Sequence, residues 1–243
     1  MLKWLILFLI AFIPPVIFVI AIRNAEHYQR EPWAQIFLCF LWGATIAVVA
    51  ALILEIILDI PLSASIHDYS LYSLILAVII APIVEEFTKP LALRLKSVKR
   101  ELLEIEDGFV YGAAAGLGFS ATENLLYESS FLSEGLFLFV VLVIIRTIGG
   151  CFLHASATAM TGYGYSKSIM YGKPLLVVLP FFILAILMHG TYNFIVSFDL
   201  LGGVIGIGAA LLFALLCLRY IIGKIHAFDQ TSKKLSLVQN FPK

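Results

Sequence analysis

The chain has 243 residues, 61% of them hydrophobic and only 13% charged, with a mean hydropathy of +1.01 and a formal net charge of zero. A soluble globular domain has roughly a quarter of its residues charged, so this composition excludes one and indicates an integral membrane protein. The zero net charge excludes no partner by itself, because in a membrane protein the position of each charge matters more than the sum.

A helix rises about 1.5 Å per residue, and about twenty mostly apolar residues cross a hydrocarbon core about 30 Å thick. Stretches near Trp4–Ile22, Trp33–Leu58, Leu71–Leu93, Gly108–Tyr127, Leu136–Tyr165, Leu175–Phe198 and Leu200–Ile222 meet that requirement. They predict an all-α, polytopic transmembrane helical bundle of about seven spans, forming a single integral membrane domain over residues 1–243. Leu2–Ile13 carries a single Lys3 at its start and precedes no small-residue cleavage site, so a retained first span is expected rather than a removed signal peptide. The segment Arg94–Asp107 reads as a charged loop, and the tail after Gly223 as a short solvated end. Cys39, Cys151 and Cys217 lie within apolar runs and read as packing residues without a disulfide.

Of the 16 lysines and arginines, 13 follow spans one, three, five and seven, whereas the loops after spans two, four and six carry Asp59, Asp68, Glu128, Glu134 and Asp199. Basic residues accumulate in cytoplasmic loops, which predicts an N-terminus outside and a C-terminus inside.

Lys89 and Arg146 fall within spans, as do Glu55, Glu85, Glu86, Glu123, His154 and His189. An ionisable group at membrane depth costs several kcal/mol, roughly, so such residues face a protein interior or a hydrated cavity and mark function. Spans three to six hold all of them except Glu55, which reads as packing or headgroup contact.

In span three, Lys89 lies four residues after Glu85 and three after Glu86, on one helical face. Adjacent carboxylates in low dielectric resist joint ionisation, which outlines a general acid and base pair; the alternative is an internal salt bridge that makes the charges tolerable. Pro90 also removes the amide that would bond the Glu86 carbonyl. In span four, Gly112 and Gly116 have the four-residue spacing of closely approaching membrane helices, and Phe119 and Glu123 continue roughly along that face. Span five aligns Arg146, Gly150 and His154, with Ser156 and Thr158 close behind; span six places Asn193 four residues after His189. Histidines can polarise a carbonyl or bind metal, and an asparagine can donate to an oxyanion. The loop and tail histidines His27, His67 and His226 receive no role.

The blocks EEFTK at Glu85–Lys89, DGFVYGAAAGLGFSATEN at Asp107–Asn124, Arg146, His154-Ala155 and HGTYNF at His189–Phe194 resemble the PrsW family of intramembrane proteases, a branch of the CAAX-protease and bacteriocin-processing superfamily. The resemblance implies an endopeptidase that cuts a membrane-anchored protein, such as a single-span anti-sigma factor, within a catalytic core at about 71–198. Its partners would be that substrate and the lipid bilayer, with no nucleic acid. It assigns the catalytic set to Glu85, Glu86, Glu123, His154, His189 and Asn193. The wider superfamily has Phe-x-x-x-His where this chain has Phe119-x-x-x-Glu123, which leaves two mechanisms open. In one, Glu85 or Glu86 activates water while His154, His189 and Asn193 stabilise the oxyanion, with no metal. In the other, Glu123, His154 and His189 hold Zn2+ and Glu85 or Glu86 is the base. From another class, a proton- or cation-coupled transporter would use the same buried carboxylates and histidines. Counting along upright spans sets Glu85 and His154 more than about 10 Å from the depth of Glu123 and His189, so the shared site requires tilted or kinked helices.

Overall fold

The structure, a computed structural model, describes residues 2–28, 30–197 and 203–239, the side chains of 235–239 excepted. The described residues form seven long helices: α1 Leu2–Ala25, α2 Trp33–Ser65, α3 Tyr69–Arg94, α4 Asp107–Ser130, α5 Leu136–Met170, α6 Leu175–Ser197 and α7 Gly203–Gln239. The start expected for the last span, together with Asp199 and Lys243, lies outside the described residues.

Six of these helices are long and apolar enough to cross a membrane. The exception is α4, and its burial explains why. Nearly the whole of Asp107–Ala121 is shielded, so α4 meets α1, α2 and α5 rather than lipid and is free to be rich in glycine, alanine and serine. Large apolar side chains point outward instead, among them Phe8, Phe37, Ile53, Phe137 and Leu187. Without water to drive burial, membrane helices associate through close packing of small residues, and this bundle places them at its centre. A methyl group at Gly116 would overlap the backbone carbonyl oxygen of His154 on α5; at Gly112, it would stand 2.5 Å from the Thr158 carbonyl oxygen. The stripe that the sequence showed on span four is therefore the α4–α5 interface.

Three helices contain a π-helical turn: Gly43–Ala47 in α2, Leu76–Ile80 in α3 and Ile145–Gly150 in α5. Such turns insert a residue and rotate the remainder of the helix, and they favour functional regions. Pro90 sits in a 3-10 segment, Lys89–Arg94, that ends α3. Just before it, the carbonyl of Thr88 accepts a hydrogen bond from the Trp42 indole at 3.1 Å.

Two sequence expectations are corrected at this level. The tail after Gly223 is no solvated end: α7 continues as helix, buries Ile225 and Asp229, and Asp229 Oδ1 accepts from the amides of His27 and Tyr28 at 3.2 and 2.6 Å. An acid and an isoleucine four residues apart gave that extension an inward face. The segment Arg94–Asp107 is also more than a charged loop, since it holds a one-turn helix at Lys96–Lys99 and buries Glu106 and Asp107. The three cysteines are free.

Candidate active site

The ionisable residues of spans three to six meet at one depth. Lys89, fully buried on α3, places Nζ 2.8 Å from Glu85 Oε2, 2.8 Å from Glu86 Oε1 and 2.8 Å from His154 Nδ1. Its ammonium also lies over the Phe119 ring, 4.4 Å from the centroid, a cation–π contact that adds a fourth neighbour. Both expected spacings in α3 are thus realised as contacts.

Glu86 is fully buried and its oxygens are occupied. Oε1 receives Lys89 and lies 2.9 Å from His189 Nδ1, and Oε2 accepts from Thr158 Oγ1 at 3.0 Å. Glu85 is less committed: its Oε2 contacts Lys89, lies 3.8 Å from His154 Nδ1 and 3.9 Å from His189 Nδ1, and completes no aligned hydrogen bond. The two imidazoles stand edge to face with centroids 4.9 Å apart.

Glu123 approaches His154 at the other ring nitrogen. Its Oε2 lies 2.8 Å from His154 Nε2 and 2.7 Å from Arg146 Nη2, while Arg146 Nε donates to Asn124 Oδ1 at 3.0 Å. Donation of the Nε2 proton to Glu123 leaves the His154 lone pair on Nδ1, consistent with the Lys89 ammonium donating there; the network thereby sets the tautomer. Arg146 is a clamp on Glu123.

The offset in depth expected from upright helices is absent, since α4 is positioned by protein contacts and the π turns shift the register of α3 and α5. The structure brings together Glu85, Glu86, Glu123, His154 and His189. Asn193 stands apart: its Nδ2 donates to the Ala77 carbonyl at 2.8 Å. Lys89 and Thr158, neighbours of the site residues in the sequence, are members of the centre. Glu55 is half-buried on α2 within electrostatic reach of Glu85, Glu123 and Lys89; a lone glutamate in an apolar run carried no signal of that proximity.

Glu85, His154 and His189 each offer one ligand atom, all within 4.8 Å of one another, and all are buried. Two imidazoles and a carboxylate suit zinc; Lys89 Nζ stands 2.8 Å from both Glu85 Oε2 and His154 Nδ1, so a metal held by this donor set would take the place of the ammonium there. Of the two mechanisms that the resemblance leaves open, the metal-dependent one has Glu123 in place of Glu85 among the ligands. In the structure Glu123 serves His154 from behind, an orienting carboxylate of the type that accompanies ligating histidines.

An all-helical membrane bundle that gathers carboxylates, histidines and a lysine in its shielded centre holds the groups that a membrane-embedded hydrolase needs. Residues 31–221 match the family described as PrsW family intramembrane metalloprotease. Over 238 residues the chain is 27% identical to Protease PrsW of Clostridioides difficile (strain 630), covering 94% of each chain. The chain belongs to the PrsW family. It is an integral, multi-pass membrane endopeptidase acting on a membrane-associated protein, and the transporter alternative is disfavoured. No solved structure matches it.

Proposed function

We propose that this chain hydrolyses a peptide bond of a membrane-anchored protein at Glu85, His154 and His189, with Glu86, Glu123 and Arg146 positioning them. The convergence of three helices on one buried cluster supports this reading. Glu85 is the carboxylate that handles the attacking water: Glu86 has both oxygens engaged by Lys89, His189 and Thr158, whereas Glu85 Oε2 has room to accept a proton. Lys89 Nζ is the positive charge available to a developing oxyanion, held in a low-dielectric site where such stabilisation is strongest. In a zinc-bound form Glu85 would be a ligand beside His154 and His189 rather than the free base, and the ion would polarise the scissile carbonyl and acidify the attacking water. Asn193, engaged with Ala77, supports the join of α6 to α3 rather than the oxyanion.

An open cleft of about 310 Å³, lined by Phe87, Pro90, Leu175, Leu179 and Phe182 and touching Glu86, lies beside the cluster and is the approach we assign to substrate. Its apolar walls suit an unwound segment arriving from lipid. The lopsided basic residues support an N-terminus outside and a C-terminus inside. A single-span regulator such as an anti-sigma factor is the substrate class suggested by the resemblance of the sequence blocks.

The test is cleavage of a single-span reporter by the protein in proteoliposomes. Wild type cuts, and Glu85→Gln and His154→Ala do not. Treatment with 1,10-phenanthroline removes activity and Zn2+ restores it. Undiminished cleavage by Glu85→Gln overturns the assignment, and activity indifferent to the chelator leaves hydrolysis to Glu85 and Lys89 without a metal.

A further inference from the structure

A second carboxylate cluster lies outside the membrane-spanning segments, where the loop between α1 and α2 meets the start of α4. Glu26, Glu31 and Asp107 are 0%, 3% and 3% exposed, and each offers one oxygen within 4.8 Å of the others. Three buried carboxylates at that spacing require either protons or a cation. Among the described residues, no lysine, arginine or histidine nitrogen forms an ion pair with any of the three. The nearby arginines turn to backbone instead: Arg23 Nε donates to the Glu31 carbonyl at 2.6 Å and Arg30 Nε to the Glu26 carbonyl at 2.8 Å.

Two of the three carboxylates are steered by local amides that leave capacity for a ligand. Asp107 Oδ2 accepts from the amides of Leu103 and Glu104 at 2.6 and 2.7 Å, and Glu26 Oε2 accepts from the Glu31 amide at 3.1 Å. Glu26 Oε1 has no hydrogen-bond partner. An independent group points to the same place. Tyr111, one turn beyond Asp107 and 0% exposed, lies within electrostatic reach of Glu31, and its hydroxyl has no partner in hydrogen-bond geometry. A buried hydroxyl left unmatched is destabilising, and an ion or its bound water would satisfy it. A cavity of about 190 Å³, bounded by Glu31, Asp107, Glu101 and Glu104 with Arg30 also on its wall, adjoins the cluster and has room for a hydrated cation.

We propose that Glu26, Glu31 and Asp107 bind a divalent, oxygen-seeking cation, Mg2+ or Ca2+, which ties the α1–α2 loop to the head of α4. The all-oxygen donor set separates this site from the nitrogen-containing catalytic cluster and suits hard cations over zinc. The inference is independent of the catalytic assignment.

The experiment uses the purified full chain in detergent, stripped with EDTA and titrated calorimetrically with CaCl2 and MgCl2, with Tb3+ as a luminescent probe. One saturable site is expected for at least one of the two metals, together with a rise in Tm on loading. Glu31→Gln weakens that binding by more than about tenfold, while Glu86→Gln leaves it unchanged. Absence of saturable binding by wild type up to about 10 mM, beyond the weakest usual Ca2+ sites, overturns the proposal and leaves protons as the neutralising partner. Binding that is lost in Glu86→Gln but retained in Glu31→Gln also overturns it, by placing the ion at the catalytic cluster. If Glu31→Gln does not fold, Asp107→Asn replaces it, and the wild-type titration remains decisive.

Discussion

The Lys89 ammonium lies 2.8 Å from His154 Nδ1, although 65 residues separate them in sequence. That contact joins α3 to α5, and the same nitrogen joins both to the paired glutamates. Removing one member of a buried ion pair strands its partner, at a cost on the order of 3–5 kcal/mol. Lys89→Met is therefore expected to lower the thermal midpoint and abolish cleavage. Adding Glu86→Gln should recover part of the stability but none of the activity, because it removes a stranded charge without restoring the ammonium. A double-mutant cycle in Tm checks this, and simple additivity would show that the pair is not coupled.

Glu123 is expected to act through His154. In Glu123→Gln the new carbonyl can still accept the Nε2 proton, but it offers Arg146 no charge. Cleavage should fall about 10- to 100-fold, the range typical of groups behind a metal-ligating histidine, with the loss in kcat and KM little changed. Glu85→Gln should eliminate measurable turnover. Equal losses from the two variants would contradict their separation into positioning and reacting carboxylates.

The spans were legible where lipid dictates the residues. α1, α3 and α6 begin and end within a few residues of the expected limits, because outward faces such as those of Ile13, Ile79 and Leu187 must be apolar. α4 obeys another rule: protein sheathes it, so its polarity carries no depth information, and measuring Glu123 from an assumed membrane boundary created the apparent offset. Glu85, Glu86, Glu123, His154 and His189 were legible as charged or polar residues in apolar runs. Their assignment between ligand and support was not, because it depends on which ring nitrogen of His154 each carboxylate meets. The Glu26, Glu31 and Asp107 cluster gave no signal, since it arises from packing between a loop and a helix 76 or more residues apart in sequence.

Gly116 offers a test of the α4–α5 approach. An added methyl would collide with the His154 carbonyl oxygen, a rigid backbone atom that has nowhere to rotate. Overpacking of this kind costs about 1–3 kcal/mol, and here the two helices must separate at the residue that carries the site's imidazole. Gly116→Ala should lower both Tm and kcat. Gly208→Ala, in a place with no neighbour close to the added methyl, should leave both unchanged. Wild-type kcat in Gly116→Ala would show that the spacing is not set there.

Asn193 separates a structural from a catalytic reading. In α3 the Ala81 amide bonds the Leu76 carbonyl across the π turn, which deprives Ala77 of its usual helical donor, and Pro82 has no amide to offer in its place. Asn193 Nδ2 supplies the missing donor from α6. Asn193→Ala should leave a buried carbonyl unmatched, at about 1–3 kcal/mol, and loosen the seat of Glu85 and Glu86, which lie two to three turns further along α3. Tm should fall with a moderate loss of kcat. An oxyanion donor would behave differently: its removal costs about 10²- to 10³-fold in kcat at unchanged Tm. Measuring both quantities on one preparation decides between the two, and a steep kcat loss without destabilisation would return Asn193 to the reacting centre.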